Sequence, residues 1–416
     1  MQGARRFTPF LQLACAIAAG TLLGILDPAH AMRMKPLGDL FIAVVKLLVA
    51  PIVFFTVASS LSSLDDLRRF SRTGIKVFAY FEAMSTLALL AGFAAAALLG
   101  PGIGFPVHPL ADAAAAGAAP LPPLPPLPPS LAQSLEHALA NSRVLQALLL
   151  GAVCGIALAR GRLSAWCRRL SACCARLSGW LFSLFGLVLK AAPLATFGAI
   201  AFTVGKHGLV SIASLLELIG TLYVASAAFI VIVLGPVARA SGFRLLRFIA
   251  YIRDELMLVA GTASSMTAMP KLMEKLERAG CPPSMVRIVV PVGYSFNLNG
   301  SNIYIAATIV FLAQALGVVL GPAQLLGILA VAMVTSKSAS GVTGAAFVAL
   351  AATLAAVPEI PDSSLVFVVG IERLLKCRPL TNIIGNGIAC MAISAWDGTL
   401  DRDKLRSSVL DPDLDA

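Results

Sequence analysis

Hydrophobic residues along this chain come in blocks rather than in stripes. Residues 10–26, 40–61, 77–99, 144–159, 177–204 and 209–237 are nearly unbroken apolar runs. A helix needs about 20 such residues to cross a hydrocarbon core of about 30 Å, so these runs predict six plain membrane-spanning helices. Beyond Arg253 the pattern changes. Residues 256–276 and 325–357 are apolar at their ends but small and polar at their centres, over 261–270 and 335–344. Each predicts a re-entrant hairpin of two half-helices meeting at a small-residue tip. The plainer alternative is an ordinary span whose serines hydrogen-bond to neighbouring helices. Between the hairpins a long apolar run is broken over residues 294–301, where Asn297, Asn299, Gly300 and Ser301 interrupt it. A further span covers 365–396. The two hairpins, each followed by a helix with a polar interior, form a weak internal repeat of the kind found in transporters built from inverted halves.

The break is the most informative feature. An unpaired peptide group in hydrocarbon costs several kcal/mol, so unwound backbone survives at membrane depth only where it lines a protein cavity or site. Composition agrees with a membrane reading. Over 416 residues the chain is 58% hydrophobic and 13% charged, against about 25% charged in soluble domains.

The net charge of +11 would suit a nucleic-acid partner if it were spread or clustered on one domain, but its placement follows topology. Arg5 and Arg6 precede the first run. Arg68, Arg69, Arg72 and Lys76 follow the second, Arg160, Arg162, Arg168, Arg169 and Arg176 the fourth, and Arg239, Arg244, Arg247 and Arg253 the sixth. Residues 77–141 contain no Lys or Arg. This is the positive-inside pattern, with cytoplasmic N- and C-termini and no nucleic-acid partner. The first apolar run is retained as a span, since no cleavage signal leads into a soluble domain. Residues 101–141, Ala-rich and then Pro-rich, favour polyproline II and read as an external loop. The eight cysteines fall in spans or cytoplasmic loops, which argues against a disulfide framework. Adjacent Cys173 and Cys174 lack the spacing of a zinc site. No nucleophile–base pair, phosphate-binding glycine loop or metal motif points to an enzyme or a cofactor.

Several polar residues in apolar segments could carry chemistry. Arg378, Asn382 and Asn386 recur every four residues and would share one helix face. An arginine at the bilayer centre costs roughly 2.5–3.5 kcal/mol on insertion scales, and its fork suits a carboxylate. That carboxylate belongs to a substrate; in the plainer reading Arg378 pairs with Glu372 or snorkels to an interface. Ser264, Ser265, Thr343 and Gly344 at the hairpin tips would offer backbone N–H groups to a second carboxylate, or simply permit close packing. Glu82 reads as a proton-relay candidate, as a residue facing a lipid interface, or as a partner of Lys76. Lys46 and Lys190 are expected to snorkel. His30, His108, His137 and His207 receive no role.

Taken together, residues 34–39, Ala50–Pro51, 261–270, 293–301, 336–343 and 380–387 resemble the dicarboxylate/amino acid:cation symporter family, nearest its bacterial C4-dicarboxylate transport proteins. The resemblance runs from about residue 8 to residue 400, apart from the Pro-rich loop. It implies an all-α polytopic membrane protein of eight transmembrane helices plus two re-entrant hairpins, an elevator-type transporter with inverted repeats, assembled as a homotrimer among lipids of the bacterial inner membrane. The scaffold would comprise about 8–76 and 142–206, the transport domain about 77–100 and 207–400, with 401–416 a cytoplasmic tail. Arg378 would hold a substrate carboxylate and Asn382 contact the substrate, with Ser264, Ser265, Gly341, Val342, Thr343, Gly344 and Thr381 completing the pocket. Asn297, Asn299, Ser301, Asn386 and Ser85 would bind the coupling cation, Na⁺ falling at Asn297, Asn299 and Asn386.

The departures from the family pattern are as telling as the matches. Leu375 stands where amino-acid carriers have an aspartate facing the substrate ammonium, which favours a dicarboxylate without nitrogen. Asn299 stands where the family's broken-helix motif usually has an aspartate, and Asn386 where sodium-coupled amino-acid carriers have one, although dicarboxylate carriers can have asparagine there. Lys376 and Pro379 flank Arg378, and the segment ahead of it is one residue shorter than expected. The implied function is import of succinate, malate or fumarate with Na⁺ or H⁺. The alternatives are a neutral or acidic amino-acid symporter and a transport-inactive dicarboxylate sensor.

Overall fold

The computed structural model describes residues 4–62, 71–105, 143–160, 164–208, 210–338, 344–354, 357–361, 364–369 and 371–410. Among them every regular element is helical, and several helices are long and apolar enough to cross a membrane. The first four runs become α1 (Ala4–Leu26), α3 (Lys35–Ser62, after the short α2, Pro28–Met32), α4 (Ser71–Leu99) and α5 (Arg143–Arg160). Of the loop expected to be external only 101–105 are described; the rest lies outside the described residues.

The fifth and sixth runs were expected to be plain, and both are interrupted. α6 (Ala165–Val188) passes through a 3₁₀ turn at Leu189–Ala191 into α7 (Ala192–His207). α8 (Val210–Ala228) passes through a π-helical stretch at Phe229–Leu234 into α9 (Gly235–Ala240). The cause is local. Pro193 and Pro236 cannot donate to the carbonyls four residues back, those of Leu189 and Ile232, and their rings crowd those carbonyls.

One set of helices packs together: α1 on α7, and α3 on α5 and α6. Hydroxyl pairs join α3 to α6, Thr56 with Ser178 at 2.8 Å and Ser62 with Ser171 at 2.7 Å. Such pairs hold helices together where water is absent. A second set forms around α13 (Pro283–Phe296) and α14 (Asn299–Ala315), with α4 and α8 along α14, and α18 (Cys377–Trp396) against both. The start of α4 is clamped to the end of α18. Lys76 Nζ lies 2.7 Å from Asp397 Oδ1, and Thr73 donates to Oδ2 at 2.9 Å. The hydrogen bond from Lys76, then that from Thr73, holds the Asp397 carboxyl below the usual carboxylate range. The clamp therefore contributes fully above the ordinary carboxylate pKa of about 3.9 and is lost as pH falls through the lowered folded value.

The first expected hairpin region folds as helix, tip and helix; in the second, two helices flank residues 339–343, which lie outside the described residues. After α10 (Leu245–Tyr251), α11 (Arg253–Thr262) ends where Ala263 turns left-handed at φ 55, a 3₁₀ tip follows at Ser265–Ala268, and α12 (Met269–Arg278) returns. Lys275 Nζ donates to the Tyr251 carbonyl at 2.7 Å and lies 2.8 Å from Glu255, closing the base of this hairpin. The second hairpin runs from α15 (Pro322–Thr335) through Ser336–Ser338 to α16 (Ala345–Leu354), and the Thr335 and Thr353 hydroxyls join its arms at 2.6 Å.

The last run, read from sequence as one span over 365–396, is divided. α17 (Leu365–Val369) and a 3₁₀ turn at Glu372–Leu374 precede α18, which begins only at Cys377. Pro379 cannot accept Leu375 into a continuous helix, because the carbonyl four residues back is the one its ring would strike. Leu375 accordingly leaves helical geometry at ψ 66. From Cys377 onward Pro379 stands in a first turn, where a missing N–H costs nothing. Arg378 is thus at a helix start and not at mid-span. The tail carries α19 (Arg402–Leu405) and a π-helical stretch at Arg406–Leu410.

Candidate functional site

The unwound backbone lies where membrane physics requires it. α13 and α14 are separated by Asn297 (φ −122, ψ 55) and Leu298 (φ −94, ψ 64), and residues 296–313 are all buried. α18 crosses this break. Asn382 Oδ1 accepts the Gly300 N–H at 2.8 Å and the Ser301 N–H at 3.4 Å, while Asn382 Nδ2 donates to Ser301 Oγ at 3.2 Å. A side-chain carbonyl facing the first N–H groups of a helix satisfies donors that have no intrahelical partner. Asn382, expected from the resemblance to contact substrate, spends its carbonyl on capping α14. Asn382→Ala leaves the Gly300 N–H buried without its partner, at a cost of about 1–3 kcal/mol. The expected outcome is a lower thermal midpoint in detergent, read by tryptophan fluorescence.

Asn297 Nδ2 donates to the Gly385 carbonyl at 3.3 Å and to Asn386 Oδ1 at 3.2 Å. Two glycines allow this approach. A Cβ at Gly293 would strike Asn386 Oδ1, and one at Gly385 would strike Asn299 Nδ2. Among the described residues, Asn297 Oδ1, both amide atoms of Asn299 and Asn386 Nδ2 are buried without a hydrogen-bond partner. Native interiors rarely leave such groups alone. Neutral amide oxygens of this kind suit a small hard cation, though with less charge than carboxylates would supply. Ser85, on α4, donates to the carbonyl of Phe296, the last residue of α13, at 3.0 Å. Of the expected cation residues, Asn297, Asn299, Ser301, Asn386 and Ser85 all border the break or touch residues that do.

Arg378 sits one turn before Asn382 on α18 and is buried. Its Nη2 donates to Glu372 Oε1 at 2.7 Å, and the guanidinium lies 5.5 Å from the centre of the Tyr304 ring on α14. The plainer reading of its partner is therefore the one this structure displays. Arg378 Nη1 and Tyr304 Oη remain buried and unpartnered among the described residues. The arginine thus has half its fork engaged and half available.

The other pocket candidates are distributed unevenly. Thr381 donates its hydroxyl to the Cys377 carbonyl at 2.8 Å, within its own helix. Ser264 and Ser265 are buried at the tip of the first hairpin, and Tyr294 Oη on α13 donates to the Ser265 carbonyl at 3.0 Å, tying that tip to the broken helix. Gly344, at φ 86, faces the side chains of Leu189 and Phe185. Gly341, Val342 and Thr343 lie outside the described residues.

Glu82 corrects an expectation. It does not meet Lys76, which is taken by Asp397; its partner is Lys337 of the second hairpin, Oε1 to Nζ at 2.9 Å. Lys76 stands nearly two helical turns from Glu82 on the same helix, too far for an ion pair. Sequence reading missed Lys337, Tyr294 and Tyr304. The signal for Lys337 was available: a lone ammonium in an apolar hairpin and a lone carboxylate in an apolar span are each costly unless paired.

Residues 10–396 match the sodium:dicarboxylate symporter family. Among curated proteins the chain is 46% identical to a C4-dicarboxylate transport protein of Burkholderia orbicola over 412 residues, covering 96% of this chain and 94% of the relative. It is 45% identical to proteins of the same description from Burkholderia ambifaria and Burkholderia thailandensis, covering 96% of this chain and 94% and 95% of those relatives.

Proposed function

We propose, from the premise that this chain belongs to the sodium:dicarboxylate symporter family, that it is a secondary active transporter importing C4-dicarboxylates such as succinate, malate and fumarate together with a cation. The observation that carries the reading is the buried Arg378 guanidinium with Nη1 unpartnered among the described residues, one turn from a helix break that carries unpartnered amide oxygens. A half-engaged guanidinium favours a carboxylate, and an unwound segment with free oxygens favours a cation. One site thus takes both charges, so that each lowers the cost of bringing the other out of water.

In this reading Arg378 holds one substrate carboxylate through Nη1 while Glu372 fixes the guanidinium from the opposite side. The tips of the two hairpins receive the other carboxylate. Leu375 is buried and gives a substrate ammonium no partner. Na⁺ sits among Asn297, Asn299 and Asn386; Glu82 is held by Lys337 and is not a free proton carrier. The set around α13, α14 and α18 moves as an elevator against the set around α1, α3, α5, α6 and α7, within a homotrimer of eight-span protomers related internally by inverted repeats. Both termini face the cytoplasm of a bacterial cell.

The test is competition for bound labelled succinate by the purified protein. Malate and fumarate are expected to displace it and serine and aspartate to fail; displacement by the amino acids alone overturns the substrate class. Repeating the measurement across Na⁺ concentrations at fixed pH is expected to show affinity rising with Na⁺. Dependence on pH alone would assign the coupling to protons.

A further inference from the structure

Three oxygens and one aromatic face converge between the second hairpin, α4 and the C-terminal end of α13. Lys337 Nζ lies 2.9 Å from Glu82 Oε1, 3.2 Å from the Phe296 carbonyl oxygen and 3.4 Å from Ser85 Oγ. The Phe296 ring centre is 5.6 Å away. The Ser85 hydroxyl itself donates to the same carbonyl at 3.0 Å, which turns its lone pairs toward the ammonium. That carbonyl ends α13, where the helix dipole places partial negative charge and where the unwound chain leaves it with no helical partner. A carboxylate, a helix-end carbonyl, a hydroxyl and a ring face make a coordination shell for a monovalent cation. In this protein the cation arrives covalently, on a stem buried in the second hairpin.

We propose that the Lys337 ammonium is a tethered cation filling a monovalent-cation site formed by Glu82, Ser85 and the Phe296 carbonyl, so that the second hairpin docks on the broken helix without a free ion at that position. The site stands on its own geometry; its consequence for transport rests on the function proposed above. Lys337 lies in the 3₁₀ turn Ser336–Ser338 that follows the first arm of this hairpin, so whatever occupies this shell fixes that turn against the broken helix. The neutral Asn297 and Asn299 place no countercharge of their own beside it, and Glu82 supplies the charge that a free ion would otherwise lack. Exchangeable cations then bind elsewhere in the break.

Removing the ammonium should convert a filled site into an empty one that a free cation can enter. Lys337→Ala protein, without substrate, is followed by thermal unfolding while methylammonium, Na⁺ or K⁺ replaces N-methylglucamine at constant ionic strength. The variant is expected to melt several degrees below wild type and to regain most of that loss with saturation in methylammonium or Na⁺, as a ligand bound to the folded state requires. Wild type is expected to show no response to methylammonium. Adding Ser85→Ala should weaken the recovery. A folded Lys337→Ala protein that gains no stability from methylammonium overturns the proposal, as does a wild-type response to methylammonium of the same size. If Lys337→Ala does not fold, Lys337→Met keeps the stem without the charge; it is expected to be clearly less stable than wild type, and equal stability overturns the proposal. These readouts use no succinate, so a failure of the transport reading leaves them interpretable. In liposomes, succinate uptake by Lys337→Ala is expected to require methylammonium or extra Na⁺.

Discussion

Arg378→Ala is expected to abolish succinate uptake and to destabilise the protein, and the two losses have different causes. The uptake loss follows from removing the donor that faces the substrate carboxylate. Truncating one partner of a buried, hydrogen-bonded charge pair costs about 2–5 kcal/mol or more, so binding should weaken about thirtyfold or beyond. The stability loss follows from Glu372, which is buried and would lose the guanidinium 2.7 Å away. A buried charge left alone costs about 3–5 kcal/mol. The double variant Arg378→Ala with Glu372→Ala separates them. Its thermal midpoint is expected to recover most of the loss, while succinate binding stays absent. Recovery of binding along with stability would show that the arginine matters only for folding.

Gly300→Ala is the second large effect, and it tests the contact between α18 and the break. A Cβ at residue 300 would overlap the carbonyl oxygen of Arg378 and stand 2.9 Å from its Cα. Both are backbone atoms of a helix start, so neither can swing aside as a side chain would. Overpacking in a well-packed interior typically costs about 1–3 kcal/mol, and this one must also push apart the Asn382 to Gly300 hydrogen bond of 2.8 Å. One methyl group should therefore lower the thermal midpoint and reduce succinate binding together. Gly317→Ala is the control for glycine loss in the same region of sequence, since a Cβ there would meet nothing within 4 Å, although its φ of 69 adds local strain. Its effect on stability should be smaller and its effect on binding absent.

Much of the fold was legible because it rests on length and apolarity, which act locally. The runs over 10–26 and 77–99 appear within α1 and α4, and the small-residue centre of 256–276 appears as a 3₁₀ turn between two helices. The break at Asn297 and Leu298 was legible for the same reason, since closely spaced polar residues in an apolar run have few places to go. What escaped was set by single prolines and by distance. Pro193, Pro236 and Pro379 each disrupt the helix before them, yet the form of the disruption, a 3₁₀ turn, a π stretch or a full stop, depends on what packs there. The pairing of Glu82 and Lys337 joins segments far apart in sequence; the Ser85 contact of the same ammonium spans 252 positions. No local pattern encodes such a partnership. Asn382 shows the reverse case. Its face was placed correctly beside Arg378 and Asn386, but its carbonyl caps α14, because the helix start it meets comes from another part of the chain.

Accumulation tests most directly whether carboxylate and cation bind in one buried site and move together. Purified protein in sealed liposomes is given labelled succinate outside and an inward Na⁺ gradient, with the membrane potential clamped. Succinate is expected to concentrate inside above its external level and to leave when the Na⁺ gradient is collapsed, while Arg378→Ala liposomes stay empty. Binding of succinate with no accumulation under either a Na⁺ or a proton gradient would contradict coupled transport and leave a dicarboxylate sensor in its place.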